Sequence, residues 1–168
     1  MAKIENATIL TRESVNEAAK IFLPASQAAK NKHIDKMFAT CPAVLQFLRD
    51  LDKGHPNEAN KEVIVQLLAI FFTAATVQKI NLKNFDFDEI VKALERNVAL
   101  KRYFHNKSHP FDGQAFNVFV QQYPQKEVLN YTFFAVNNQF RALIKGEQDA
   151  VFIFYIVKSV TDAMLSVP

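Results

Sequence analysis

Hydrophobic residues recur along most of the chain at intervals of three and four, which is the spacing of one face of an α-helix. Only three glycines occur among the 168 residues, too few for a sheet protein that turns roughly every eight to twelve residues. We therefore expect an all-α fold, a single compact bundle of six to seven helices with short connections. Residues 1–168 would form one domain, in which residues 1–10 could be an extended N-terminal arm.

Capping residues and prolines mark where the predicted helices begin. Ser14 and Glu17 have the spacing of a capping box, in which each side chain bonds an unpaired backbone N–H group at the helix start. Asp86 and Glu89 have the same spacing, and Pro42 suits the first position of a helix. These signals predict helices that start near residues 14, 42 and 86.

Two of the predicted helices have a clear apolar stripe. The helix that starts near Asp86 has apolar residues at helical spacing, and these are Phe87, Ile90, Val91, Leu94 and Val98. His105 lies on the same face, further along the helix. A helix predicted over residues 124–145 has a second stripe, which consists of Leu129, Phe133, Val136, Phe140 and Leu143. Phe134 lies to the side of this stripe. We expect both stripes to face the core.

Two segments are apolar on most of their circumference. The run Ala150–Val157, AVFIFYIV, could form a buried strand, but no second segment offers it a partner, so we predict a helix. The stretch from Val63 to Val77 lies in a helix predicted over residues 56–79. Both are shorter than the roughly 20 apolar residues that cross a bilayer. We expect core helices and no membrane span.

The aromatic content is the unusual feature of the composition. The chain has 16 Phe and 4 Tyr but no Trp, whereas the hydrophobic fraction of 49% and charged fraction of 22% are typical of globular proteins. Several helices have aromatic residues on more than one face, and large aromatic side chains often anchor protein interfaces. The residues we predict at such an interface are Phe71, Phe72, Phe134, Phe152 and Tyr155. A Phe-rich core within a monomer would explain the same pattern equally well.

His105 and His109 lie four residues apart, and Asp112 follows them. Histidine and carboxylate side chains bind metals, so these three residues are a candidate metal or small-ligand site. Pro110 disfavours helical geometry at His109, which argues against two ligands on one turn of a continuous helix. The alternative interpretation is a helix that ends near His105, followed by a His-Pro turn and an Asp112 helix cap.

Cys41 is the chain's single cysteine, so no internal disulfide can form. This fits a reducing compartment, and we expect the protein in the cytoplasm of the cell that makes or hosts it. A position just before Pro42 at a helix N-terminus could activate the thiol, but a buried, unreactive cysteine is the more common case.

Basic residues cluster between Lys92 and Lys107. Lys92, Arg96, Lys101 and Arg102 precede the aromatic residues Tyr103 and Phe104, and basic residues beside aromatic ones could bind nucleic acid. The same helix also has Asp88, Glu89 and Glu95, and the net charge of the chain is only +3. A solvated helix face of mixed charge explains the cluster more simply.

Phosphate-binding loops and catalytic signatures are absent from the sequence. The sequence therefore favours a non-enzymatic protein without a cofactor, one that binds a protein partner or itself through Phe-rich helix faces as an adaptor, inhibitor or structural component. Two alternatives stay open. One is a metal- or ligand-binding helical protein centred on His105, His109 and Asp112. The other is a nucleic-acid-binding module that uses the Lys92–Lys107 cluster.

Overall fold

The computed structural model describes residues 9–54, 57–82, 84–105 and 114–167, with Gly54 and His105 described by their backbone alone. Every regular element in this part of the chain is helical, as predicted. It contains eight α-helices rather than six or seven, because each segment bounded by a cap or proline forms a helix of its own. They are α1 (Arg12–Phe22), α2 (Gln27–Thr40), α3 (Pro42–Gly54), α4 (Glu58–Val77), α5 (Phe87–His105), α6 (Gln114–Gln122), α7 (Lys126–Phe134) and α8 (Glu147–Met164).

The predicted capping box is confirmed for α5 and wrong for α1. Asp86 and Glu89 exchange side-chain bonds with each other's backbone N–H groups at 3.0 and 2.9 Å. At α1 the cap is Thr11, whose Oγ1 accepts a bond of 3.2 Å from the Ser14 backbone N–H. Ser14 lies one turn inside the helix, and its hydroxyl donates to the Thr11 carbonyl oxygen at 2.9 Å.

The described end of the predicted N-terminal arm is bound to the helices. Leu10 is buried, and its backbone N–H donates to Gln125 Oε1 at 3.0 Å. The Gln78 side chain donates through Nε2 to the Ile9 carbonyl oxygen at 2.6 Å. Two glutamine side chains and the core therefore hold residues 9 and 10 against the helices. Residues 1–8 lie outside the described part.

The described residues form two apolar cores, and the larger one lies around α4. Residues from Val63 to Ala75 are almost all buried there against α1, α2 and α8. Among the described residues α4 is the one helix long and apolar enough to cross a membrane, but 67% of that stretch is buried inside the fold. The central helix of a helical bundle has the same length and composition, so these two properties do not show a membrane span. We refer to this region as the large core.

A second core is built mainly from aromatic side chains. Phe104, Phe116, Leu129, Phe154 and Tyr155 are buried together, and the half-buried rings of Phe119 and Tyr123 pack against them. The ring centroids of Phe104 and Phe116 are 5.4 Å apart, and those of Phe116 and Phe154 are 5.8 Å apart. These distances are typical of favourable aromatic pairs. We refer to this region as the aromatic core.

The run Ala150–Val157 is helical, as predicted, and lies within α8. This helix contributes to both cores at once. Ile153, Val157 and Val160 belong to the large core, whereas Phe154 and Tyr155 belong to the aromatic core. Burial on two faces explains why the sequence of α8 is apolar on most of its circumference.

The predicted apolar stripe of α5 is confirmed in part, because Phe87, Ile90 and Leu94 pack in or against the large core. Ile90, Ala93, Asn97 and Phe104 are buried, whereas Val98 is 37% exposed. The helix is rotated so that Asn97 faces α8, where its side chain finds polar partners. A hydropathy pattern places an asparagine outside, so it does not predict that Asn97 is buried in place of Val98.

The helix predicted over residues 124–145 ends as an α-helix at Phe134. A π-helical turn follows over Ala135–Gln139, and a short 3-10 turn over Arg141–Leu143. Leu129, Val136 and Phe140 are buried as predicted, but Phe133 and Leu143 are each 40% exposed. Thr132 takes the inward position instead. Its hydroxyl donates to the Val128 carbonyl oxygen at 2.7 Å, so it can be buried without an unpaired polar group.

Candidate functional site

A surface groove of about 370 Å³ lies between α1 and α7. We call it the α1–α7 groove, and it is lined by Arg12, Val15, Asn16, Glu127, Asn130, Tyr131 and Phe134. Val15 is buried and Tyr131 is half-buried, so these two side chains form its floor. Arg12 and Glu127 face each other across the rim, with Arg12 Nε 3.3 Å from Glu127 Oε2.

Tyr131 is fixed in position from two sides. Its ring meets the buried ring of Phe71 edge-on, with centroids 5.9 Å apart, and its hydroxyl donates to Gln139 Oε1 at 3.1 Å. Burial raises the pKa of the Tyr131 phenol, so the hydroxyl stays protonated and remains a donor. The floor of the groove is therefore rigidly connected to the large core.

Phe134 projects from the edge of the groove and is 54% exposed. Its ring centroid lies 6.4 Å from that of Tyr131, so the exposed ring stands beside the groove floor. Phe133 is next to it in the sequence and is 40% exposed. Large aromatic side chains at a solvent-exposed concave surface are typical of interaction sites.

The π-helical turn begins immediately after this aromatic pair. Phe140 N–H donates to the Ala135 carbonyl oxygen at 2.8 Å, the five-residue spacing that defines such a turn. Asn137 and Asn138 donate through Nδ2 to the carbonyl oxygens of Phe133 and Phe134, at 2.8 and 2.9 Å. These side-chain bonds stabilise the end of α7 that presents the two rings. π-Helical turns are rare and occur frequently at functional sites.

Of the five predicted interface residues, only Phe134 is exposed. Phe71, Phe72 and Tyr155 are buried within the chain, so they present no surface to a partner. Phe152 is half-buried against the large core. The correction follows from the position of their helices, because α4 and α8 are covered by neighbours on nearly every side. Most of the aromatic surplus is therefore internal.

The structure also contains a buried polar cluster between α5 and α8, which the sequence analysis did not predict. We define it as Asn97, Lys158, Ser159 and Asp162. Lys158 Nζ donates to Asp162 Oδ2 and to Asn97 Oδ1, both at 2.8 Å. Asn97 Nδ2 donates to Ser159 Oγ at 3.0 Å and to Asp162 Oδ2 at 3.1 Å. The side chains of Lys158 and Asp162 are each only 5% exposed.

Burial disfavours the charged form of both ionisable groups in this cluster. Desolvation, with a smaller contribution from the positive charge of Arg96, lowers the pKa of Lys158 to about 7. Desolvation raises the pKa of Asp162 to about 7, against the opposing effects of the Asn97 hydrogen bond and the Arg96 charge. The two groups therefore titrate in the same pH range, and their protonation is coupled.

An amine with a lowered pKa can act as a nucleophile, but Lys158 is poorly placed for this role. Its Nζ atom lies 4.3 Å from the ring centroid of Tyr123 and 5.9 Å from that of Phe119, so aromatic rings cover it. Asp162 Oδ1 and the Tyr123 and Tyr155 hydroxyls have no hydrogen-bond partner among the described residues. The cluster joins α5 to α8, and we interpret it as structural.

The predicted metal site lies mostly outside the described part of the chain. This applies to His109, to Asp112 and to the side chain of His105, so the site stays a prediction. Within residues 9–54, 57–82, 84–105 and 114–167, no group of three His, Cys, Asp or Glu side chains could hold a metal ion.

Cys41 is buried, and desolvation raises the pKa of its thiol to about 11. The thiol is therefore protonated at neutral pH, and the alternative of an activated cysteine is not supported.

The basic residues of the predicted nucleic-acid site lie on α5 among exposed acidic residues. Lys92, Arg96 and Arg102 are exposed and Lys101 is half-buried. Asp88, Glu89 and Glu95 are exposed on the same helix, as expected for a solvated face of mixed charge.

Comparison with known proteins gives no relative for this chain: no family model, no curated protein and no solved structure matches it.

The sequence alone did not indicate the α1–α7 groove, because its residues are more than a hundred positions apart. A partial signal was present in the NNQ stretch after Phe134, where amide side chains can bond carbonyl oxygens four residues earlier. No hydropathy signal marked the polar cluster. Lys158 and Asp162 are spaced four residues apart, which is also the spacing of an exposed ion pair.

Proposed function

We propose that this protein is a non-enzymatic interaction or assembly subunit that binds a protein partner through the α1–α7 groove in the cytoplasm. The observation that supports it best is Phe134, an aromatic side chain more than half exposed beside a groove whose floor is held rigid. A single exposed apolar side chain is common on protein surfaces, but one that lines an apolar groove is typical of an interaction site.

The geometry of the groove suggests how a partner would bind. Its floor offers apolar contact at Val15 and Tyr131, and its rim offers one positive and one negative side chain. A partner that fits would insert an apolar side chain and place charged groups near Arg12 and Glu127. Rigid aromatic anchors of this kind contribute strongly to binding because they lose little conformational entropy.

Selection of peptides from a random display library against the folded protein tests this proposal. We expect selected peptides to contain an apolar anchor residue and to shift the backbone NMR resonances of residues 12–16 and 127–134. Phe134→Ser should weaken their binding about tenfold or more, which corresponds to the loss of one interface anchor.

Tyr103→Ser is the matched control, because Tyr103 is 56% exposed on α5 and does not line the groove. It should leave peptide binding unchanged. Selected peptides that perturb a different surface, or that bind equally well to the Phe134→Ser protein, would show that the groove is not the interaction site.

The two alternative functions stay predictions. The metal- or ligand-binding alternative involves residues outside the described part of the chain, and the nucleic-acid alternative involves a helix face of mixed charge. Metal analysis of untagged protein tests the former, and salt-dependent binding to labelled nucleic acid tests the latter.

A further inference from the structure

The π-helical turn after α7 lies next to the α1–α7 groove and accommodates one residue more than an α-helical turn would. Its closing bond runs from Phe140 N–H to the Ala135 carbonyl oxygen at 2.8 Å, five residues earlier rather than four. Side chains seven residues apart share a face of a continuous α-helix. Across this turn, the same relation therefore holds for side chains that are eight residues apart.

Two pairs of residues that span the turn show this displacement. Thr132 and Phe140 are eight residues apart, and both are buried. Tyr131 and Gln139 are also eight residues apart, and the Tyr131 hydroxyl donates to Gln139 Oε1 at 3.1 Å. On a continuous α-helix, side chains with this separation point about 80° apart, because each residue turns the helix by about 100°. The extra residue of the π-helical turn therefore brings Gln139 onto the face of Tyr131.

The bond to Gln139 holds a ring that forms the floor of the groove. Tyr131 lines the groove, whereas Gln139 is not among its lining residues. The edge-on contact with Phe71 fixes the Tyr131 ring on the core side, and the bond to Gln139 fixes its hydroxyl end. A side chain that is already ordered loses less conformational entropy when a partner binds. Gln139 can therefore affect affinity without touching the partner.

Amide side chains within the turn favour this arrangement. Asn137 and Asn138 donate through Nδ2 to the carbonyl oxygens of Phe133 and Phe134, four residues earlier. In a continuous α-helix the backbone N–H groups of the two asparagines would bond these same oxygens. Side-chain bonds to such carbonyl groups compete with the α-helical pattern, so they favour the wider turn that places Gln139 beside Tyr131.

We infer that Gln139 is a positioning residue for the α1–α7 groove, held on the face of Tyr131 by the π-helical turn so that the Tyr131 ring is oriented before a partner binds. This inference rests on the proposed function, because it concerns the affinity of the same site. It holds for any partner that contacts the Tyr131 ring.

The affinity of the display-selected peptides for Gln139 variants tests the inference. Gln139→Met keeps the length of the side chain but removes the acceptor oxygen, and it should weaken peptide binding about fivefold. Gln139→Glu keeps an oxygen that can accept the bond and should restore most of the affinity. Gln27→Met is the matched control, because Gln27 is also exposed and also makes a side-chain bond, of 2.9 Å to Asn31, but does not line the groove. It should leave binding unchanged.

A double-mutant cycle shows whether Gln139 acts through Tyr131. Tyr131→Phe removes the hydroxyl and should weaken binding by about the same factor, and the double variant with Gln139→Met should be no weaker than either single variant. Thermal unfolding should be nearly unchanged in all three variants, since the bond is exposed. Losses that multiply in the double variant would show that Gln139 does not act through the Tyr131 hydroxyl and would overturn the inference.

The same measurements separate this inference from the proposed function. If no selected peptide binds the groove of the wild-type protein, the proposed function fails and the positioning role fails with it. If peptides bind the wild-type groove and bind the Gln139→Met protein equally well, the proposed function stands and only the role of Gln139 is wrong.

Discussion

The large core and the aromatic core both depend on α8, but they fix it by different interactions. In the large core α8 contributes aliphatic side chains such as Ile153, Val157 and Val160, and burial of apolar area supplies the stabilisation. Next to the aromatic core the same helix presents Lys158 and Asp162, which bond Asn97 of α5. One face of α8 therefore packs without directional bonds, and the other requires specific partners.

The difference shows how a single helix is given a unique orientation. Aliphatic contacts tolerate small rotations and substitutions of similar volume, because dispersion and the hydrophobic effect are not directional. A buried amide–lysine–carboxylate arrangement tolerates neither, since an unpaired buried charge is strongly unfavourable. We infer that the large core supplies most of the stability, and that the polar cluster determines which face of α5 meets α8.

The largest expected effect comes from disruption of the large core. Phe71 is fully buried, and its ring packs against that of Tyr131. Phe71→Ala should therefore lower the free energy of unfolding by about 4 kcal/mol. Urea denaturation followed by circular dichroism measures this loss. A loss below about 1 kcal/mol would mean that the large core is not the main source of stability.

Disruption of the polar cluster should have the next largest effect. Asp162→Ala leaves the buried Lys158 amine without its carboxyl partner, and at pH 5, where that amine is protonated, it should destabilise the fold by about 3 kcal/mol. Lys158→Met combined with Asp162→Leu should recover at least half of this loss, because no unpaired charge remains. Asp50→Ala is the control, since the Lys53–Asp50 pair is exposed and should contribute less than about 1 kcal/mol. A double variant no more stable than Asp162→Ala would contradict the role assigned to the contact between Lys158 and Asp162.

The two ionisable groups of the polar cluster should make the stability of the fold depend on pH. The pKa of Asp162 is raised from 3.8 to about 7, so the folded chain binds more protons over that interval and stability falls as pH rises through it. The pKa of Lys158 is lowered from 10.5 to about 7, so the unfolded chain binds more protons above neutrality and stability rises with pH there. The contribution of the pair is therefore lowest near pH 7.

Unfolding free energies measured from about pH 5 to 9 test this minimum. The difference between wild type and the Lys158→Met, Asp162→Leu double variant should decrease by about 2 kcal/mol from pH 5 to 7 and increase again above pH 7. Burial raises the pKa of Tyr155 to about 12, outside this pH range. A difference that is largest at neutral pH would indicate a stable ion pair instead.

The smallest expected effect on stability comes from a residue outside both cores. Phe134→Ser should change the unfolding free energy of the monomer by less than about 0.5 kcal/mol, because the side chain is already largely in water. Thermal unfolding at low protein concentration measures it, compared with Phe71→Ala at the same concentration. Destabilisation approaching that of Phe71→Ala would mean that Phe134 supports the fold and is not an interaction residue.

Much of the fold could be predicted from local patterns. The helical class, the helix over residues 147–164 and the Asp86–Glu89 cap follow from periodicity and capping chemistry, which act over a few residues. The predicted boundaries failed where local signals compete. Thr11 and Ser14 can both cap a helix, and the helix after Leu129 gives way to a π-helical turn that amide side chains stabilise.

The candidate site could be predicted only in part. The sequence identified an aromatic surplus and included Phe134 among its possible interface residues, but it could not separate that residue from Phe71, Phe72 and Tyr155. Their hydropathy is alike, and the difference in exposure arises because α4 and α8 are surrounded by other helices whereas the end of α7 is not. Exposure of one aromatic residue among many is a property of the assembled helices.

The sequence by itself determined that the chain forms helices and where most of them begin, because those choices depend on hydrogen bonds and side chains within one or two turns. Only the tertiary structure decided which face of each helix is buried. Asn97 points inward because Lys158 and Asp162, more than sixty residues later, satisfy its amide group. Phe134 points outward because no helix in the described part of the chain covers it, so both orientations depend on how distant segments pack together.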